Sequence, residues 1–260
     1  MGATYNFFLY LFVFISGLGW LTSRLCDSNL YVLKRWTLKT QKLTNTFVVQ
    51  FSKKYFPFFF AVLIVKSFAY DSFAIPSISM SPTLLVGDFV LVNRYVYGVR
   101  IPFTSTVALQ GTKPGPGDVV VFNPPHMPNK YLVKRVIGVP GDSIHLDDYR
   151  LTINGREVPR HQSNFDSNNA SDSLFFDETL GAHSYTTSRS RERSLISSHG
   201  DWVVPQGQYF VMGDNRDSSS DSREWGTIQE SDIYGKAVVV WMHKPGIFNA
   251  PEFHRNGPVK

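Results

Sequence analysis

The chain opens on an almost unbroken apolar run. From Met1 to Ser23 there is no charged side chain, and Tyr5 to Leu21 is nearly all aliphatic or aromatic. At about 1.5 Å per helical residue this run approaches the ~30 Å hydrocarbon layer of a bilayer, so a transmembrane helix is predicted over residues 1–23. A cleavable signal peptide would want a basic segment ahead of the apolar run, and none precedes Tyr5. A second apolar run, Tyr55 to Tyr70, predicts another membrane helix over 55–72. Pro57 lies near its start and Lys66 interrupts it, so crossing requires Lys53, Lys54 and Lys66 to snorkel toward the headgroups. An amphipathic helix lying in the interface is the other reading of this segment.

Beyond Phe73 the period changes. Short runs rich in Val, Ile, Tyr and Phe, punctuated by Gly and Pro, predict strands at Phe89–Tyr97, Asp118–Phe122, Tyr131–Val139, Ser143–Leu146, Arg150–Ile153, Tyr209–Met212 and Lys236–Met242. Asn154–Gly155, between two such runs, predicts a two-residue type I′ hairpin turn. With almost no helical periodicity, residues 73–260 are expected to form a mainly β domain, one large, antiparallel and strongly twisted sheet. Between about His161 and Gly200 the composition turns to Ser, Asn, Asp and Arg, which predicts a surface excursion over 161–200. Its Arg189, Arg191, Glu192 and Arg193 read as a solvated face.

The formal charge of +5 raises the question of nucleic acid. Residues 22–54 hold seven basic side chains against Asp27 alone, a local net of +6 that leaves about −1 for the rest of the chain. A phosphate-binding patch on the β domain is therefore not expected. The same asymmetry predicts that 24–54 is a basic cytoplasmic loop and that residues after 70 lie on the outer face of the membrane. The single cysteine, Cys26, allows no intramolecular disulfide, and the seven scattered histidines offer no metal-ligand spacing, so neither metal nor cofactor is expected.

Candidate chemistry sits in three segments. Pro76-Ser77-Ile78-Ser79-Met80-Ser81-Pro82-Thr83-Leu84 follows the second apolar run; taken alone, a serine cluster between prolines is an ordinary loop. Lys134-Arg135-Val136-Ile137-Gly138-Val139-Pro140-Gly141-Asp142 is stranger, because a lysine interrupts a strand whose alternate positions are apolar. Leu132, Lys134 and Val136 share one face, and Val133, Arg135 and Ile137 the other. Each face thus carries one cation, and at least one of them must be partly buried or at an edge. Desolvation disfavours an ammonium, and lowering a lysine from ~10.4 to ~7.5 takes about 4 kcal/mol, which a dry pocket can supply. A neutral lysine could then serve as the base that a serine hydroxyl needs to attack a carbonyl. The third segment is Gly213-Asp214-Asn215-Arg216-Asp217-Ser218-Ser219-Ser220-Asp221-Ser222-Arg223.

In series these segments, PSxSMxPTL, KRxxGxPGD and GDNRDxSxDSR, resemble the bacterial signal peptidase I family, including their order after two membrane spans, from about Tyr55 to Met242. The resemblance implies a membrane-bound serine endopeptidase that cuts signal peptides from exported preproteins after small residues at −1 and −3. It implies Ser79 as nucleophile, Lys134 as general base and Ser77 as an oxyanion donor alongside the Ser79 N–H. Ser219 would orient the lysine amine, and Asp221 and Arg223 would form a supporting ion pair. Asp214 is further expected to pair with Arg135. Phe73, Ile75, Met80, Leu84, Leu132 and Val133 are expected to line shallow substrate pockets. Ile78 departs from the small or polar residue many relatives carry between the two serines, and its β-branch restricts the backbone there. The expected partners are exported preproteins and membrane lipids, the expected state is a monomer, and the expected place is the outer (periplasmic) face of the bacterial inner membrane. Competing readings are a serine–lysine maturation peptidase with narrower substrates, or a non-catalytic tethered β scaffold whose Lys134 points to solvent.

Overall fold

The computed structural model describes residues 2–27, 47–68, 70–100, 107–124, 126–127, 130–163, 173–191, 198–246 and 249–260, with the backbone alone at 2–9, 22, 25–27, 48, 53, 64–68, 99–100 and 107–108. They fall into two compact units, 1–69 and 70–260. The first holds α1 (Gly2–Asp27) and α2 (Phe47–Phe68). The helices meet through aromatic rings: Phe12 lies edge-on to Phe59 at 4.9 Å, and Trp20 stacks tilted on Phe56 at 5.4 Å. Among the described residues no helix is long and apolar enough to cross a membrane. The predicted span 1–23 begins where side chains lie outside the described residues, as do Cys26, Lys53 and Lys66, and residues 28–46 of the basic loop lie outside them entirely.

The prediction for 55–72 needs correction at both ends. The helix begins earlier, at Phe47, and stops at Phe68; Tyr70–Ala74 is a strand. The reason is tertiary, since these residues pair antiparallel with Phe89–Asn93 in unbroken register.

In the second unit the strands are β1 (Tyr70–Ala74), β2 (Asp88–Asn93), β3 (Gly98–Arg100), β4 (Val107–Gln110), β5 (Val119–Phe122), β6 (Leu132–Gly138), β7 (Ser143–Asp147), β8 (Arg150–Ile153) and β9 (Arg156–Glu157). They continue with β10 (Arg160–Gln162), β11 (Ser173–Leu180), β12 (His183–Ser190), β13 (Gly200–Val203), β14 (Gln208–Met212), β15 (Ile228–Gln229), β16 (Ile233–His243) and β17 (Gly257–Pro258). A single helical turn, α3 (Ser222–Trp225), takes in the last two residues of the third motif. The main sheet runs β1-β2-β16-β5-β6-β14-β15, with β17 added to β16, and its pairings are antiparallel. The long β16 shifts register against β2 twice, and such bulges bend a strand and raise its twist, which curls the sheet.

The strand predicted through Tyr97 ends at Asn93, whose side-chain oxygen accepts the N–H groups of Tyr95 and Val96 and turns the chain. At the predicted hairpin, Asn154 and Gly155 do adopt positive φ, 51° and 76°. The 161–200 segment is more than a surface excursion. β11 and β12 pair over eight residues and join β10 in a separate sheet, and Leu180, Tyr185, Glu178, Thr187 and Ser188 on it are buried. Leu180 and Tyr185 belong to the core cluster of Ile137, Ile144, Phe210 and Met212, which explains how so polar a sequence is held in place.

Candidate active site

The serine segment forms the loop between β1 and β2. Its mouth is closed by two backbone hydrogen bonds, Ile75 N–H to Asp88 O at 2.8 Å and Gly87 N–H to Ile75 O at 3.0 Å. Gly87 has φ 93°, and a Cβ there would run into the Lys244 carbonyl, so the turn requires glycine. Met80 and Leu84 anchor the loop from inside, packed with Ile75, Val90, Val119 and Val240. Ser79, in the same loop, is half-buried.

Lys134 comes from the middle of β6, where its backbone pairs with Val120. Both cations of this strand are interior: Lys134 is 3% exposed and Arg135 0%. Lys134 Nζ lies 2.6 Å from Ser79 Oγ, and Ser77 Oγ lies 3.4 Å from the same hydroxyl. Burial pushes the Lys134 amine down from 10.5 to about 8, against the opposite pull of the Asp221 and Asp214 carboxylates. No carboxylate bonds the amine directly among the described residues.

On the other face of β6, Arg135 is fully engaged. It makes a two-pronged pair with Asp214 (Nε–Oδ1 2.8 Å, Nη2–Oδ2 2.6 Å), donates to Gly117 O, and lies over the Tyr185 ring at 3.9 Å. Thr83 Oγ1 donates to Asp214 Oδ2 at 2.5 Å, so this ion pair also holds the serine loop. Asp221 caps α3 and binds Arg223 at 2.8 and 2.9 Å. Burial alone would raise the Asp221 carboxyl; Arg223, with help from the Gly213 N–H and the Ser219 hydroxyl, holds it below the ordinary value.

Two expectations change. Ser219 donates its hydrogen bond to Asp221 Oδ2 at 2.8 Å, and no bond from Ser219 to Lys134 occurs among the described residues; a carboxylate is the stronger acceptor, and Arg223 fixes it within reach. Of the predicted pocket residues, Ile75, Met80 and Leu84 are almost fully buried, so they form a floor under the loop rather than open walls. Val133 packs against that floor, but strand alternation sends Leu132 to a different cluster with Phe122, Tyr97 and Trp225. Phe73 is half-buried against the Tyr131 and Tyr234 rings, both at 5.3 Å. Ile78 is 55% exposed. Thr83 and Tyr185 join the site through tertiary contacts; Thr83 stands inside the first motif, whereas nothing in the chain around Tyr185 signals its contact with Arg135.

An alcohol and a dry amine at hydrogen-bond distance, without histidine, form an arrangement that can carry out acyl transfer with lysine as the base. The family model described as "Signal peptidase, peptidase S26" matches residues 48–242, and the chain belongs to that family of peptidases. It is 40% identical over 226 residues to a signal peptidase I of Pseudomonas fluorescens, covering 82% of this chain and 80% of that one. A signal peptidase I of Buchnera aphidicola is 31% identical and covers 91% of both. A solved signal peptidase I structure from Enterococcus faecalis covers 48% of this chain at 27% identity, with a TM-score of 0.31.

Proposed function

We propose that this chain is a serine endopeptidase that removes signal peptides from exported preproteins, with Ser79 as nucleophile and Lys134 as general base. The observation that carries the reading is the 2.6 Å contact between Lys134 Nζ and Ser79 Oγ at an amine lowered to about 8. In the neutral form the amine takes the hydroxyl proton as Ser79 Oγ attacks the scissile carbonyl carbon. The C–N bond then breaks, the proton passes to the leaving amine, and an ester remains on Ser79. A water that gives its proton to Lys134 hydrolyses that ester. The Ser79 N–H and the Ser77 hydroxyl receive the oxyanion. Asp214–Arg135 and Asp221–Arg223 keep the three motifs in register. The non-catalytic scaffold reading requires Lys134 in solvent, which its 3% exposure does not support.

Small side chains at −1 and −3 suit a site whose apolar residues Ile75, Met80 and Leu84 are already close-packed, leaving little depth for a larger group. Membrane attachment through α1 and α2 is supported by the uncharged run Tyr5–Leu21 and by exposed rings such as Phe14 (65%) and Phe58 (63%). The β domain then works at the outer face, as a monomer, beside the substrate's own membrane segment. The test is cleavage of a preprotein by membranes carrying wild-type, Ser79→Ala or Lys134→Ala chain. Both variants are expected to stay in the membrane fraction after alkaline extraction and to cleave nothing; full processing by Lys134→Ala would refute the mechanism.

A further inference from the structure

The peptide unit joining Ile78 to Ser79 is planar and trans, so the direction of the Ile78 carbonyl fixes that of the Ser79 N–H on its opposite side. Asn215 holds this unit and the next one: its Nδ2 donates to Ile78 O at 3.3 Å and its N–H to Ser79 O at 3.1 Å. What holds Asn215 is its neighbour Arg216, whose own partners lie outside the three motifs. The next residue, Arg216, is fully buried and makes a two-pronged ion pair with Glu178 on β11 (Nη1–Oε1 3.0 Å, Nη2–Oε2 2.5 Å), both side chains nearly inaccessible at 2% and 1%. Tyr185 and Thr187 hydroxyls also donate to Glu178, at 3.2 and 3.4 Å. On either side of Asn215, Ser188 of β12 accepts the Arg216 N–H and donates its own N–H to Asp214 O, both at 2.8 Å, and its hydroxyl reaches Ser81 O at 3.0 Å.

We propose that Glu178 is a positioning residue for the reaction, acting through Arg216 and Asn215 on the peptide unit that carries the Ser79 N–H. The β10–β12 sheet is then the clamp that aims an oxyanion donor, rather than a decoration of the domain. This rests on the reading of Ser79 as nucleophile and of its N–H as a donor to the oxyanion. A planar unit pinned from behind keeps its N–H aimed without help from the residue 78 side chain, which is consistent with an exposed isoleucine at that position.

The test is steady-state cleavage of a preprotein by the full-length chain in detergent, for Glu178→Ala, Glu178→Gln, Asn215→Ala and the Glu178→Ala/Asn215→Ala pair. Removing a whole oxyanion donor costs roughly 10² to 10³ in rate, so misaiming one through Glu178→Ala is expected to lower kcat by roughly tenfold to a hundredfold. KM and the pH at which activity rises stay where they are, because neither substrate contacts nor Lys134 are altered. Glu178→Gln, which keeps one acceptor for Arg216, falls in between. Asn215→Ala reproduces the loss, and the pair loses no more than the worse single variant, because both act on one peptide unit. A folded Glu178→Ala with wild-type kcat, a rise in KM alone, or fully additive losses in the pair would overturn the proposal. Should circular dichroism show Glu178→Ala unfolded, wild-type kcat in both Glu178→Gln and Asn215→Ala would overturn it equally. A Ser79→Ala control separates the two levels: cleavage by that variant sinks the nucleophile reading, whereas an inactive control beside an unaffected Glu178→Ala sinks the clamp alone.

Discussion

Burying an amine has a cost in stability, and under the proposed mechanism, which needs Lys134 uncharged, that cost can be measured apart from activity. Lys134 falls from 10.5 to about 8 on folding, a difference of about 2.5 units or ~3.4 kcal/mol. Below pH 8 the residue is protonated in both states, and the folded chain carries the whole penalty of a desolvated ammonium. Between about 8 and 10.5 the unfolded chain binds the extra proton, so stability rises with pH across that window by up to ~3 kcal/mol. Lys134→Met removes the amine while keeping an unbranched side chain of similar length. At pH 7 it is expected to be inactive and yet more stable by as much as ~3 kcal/mol, the gain shrinking toward zero as pH approaches 10.5. For the wild type, kcat/KM should rise about tenfold per pH unit below 8 and level off above it. Denaturant unfolding of both chains from pH 6 to 10, beside a pH–rate profile, tests the reasoning. A rate that is flat from pH 6 to 9, or a Lys134→Met chain that is less stable by the same amount at every pH, would refute it.

Two further outcomes follow from the same geometry. Asp214→Asn leaves the fully buried Arg135 guanidinium without its counter-charge, and breaking such a pair typically costs about 3–5 kcal/mol, readable as a lower denaturation midpoint with processing lost alongside. Gly213→Ala places a Cβ 2.5 Å from the Ser79 carbonyl and even closer to Ser219, so kcat should fall sharply because the Ser79 loop must shift; unchanged kcat in a folded Gly213→Ala chain would contradict the packing described.

Part of the site's geometry is legible in the sequence. A lysine in the middle of an apolar strand must be buried, shielded at an edge or paired, so Lys134 stood out on alternation alone, and the pairing of Arg135 with Asp214 follows the same need of a buried cation. The Asn154–Gly155 turn was equally local, since few residues tolerate positive φ cheaply. Where reading failed, a distant partner had overruled the local pattern. Tyr70–Ser72 look like the end of an apolar helix until β2 offers them a ladder, and the Ser219 hydroxyl donates to Asp221, a carboxylate that Arg223 holds within its reach.

The sequence by itself determined which side chains could react and which periods would form strands, because charge, hydroxyl and alternation are properties of residues in order. Only the tertiary structure decided that Ser79 and Lys134, 55 positions apart, come within 2.6 Å, and that the polar 161–200 segment reaches the Ser77–Ser81 loop through Glu178, Arg216 and Ser188. A buried ion pair between residues 38 apart leaves no periodic trace, since each partner taken alone reads as an ordinary surface charge.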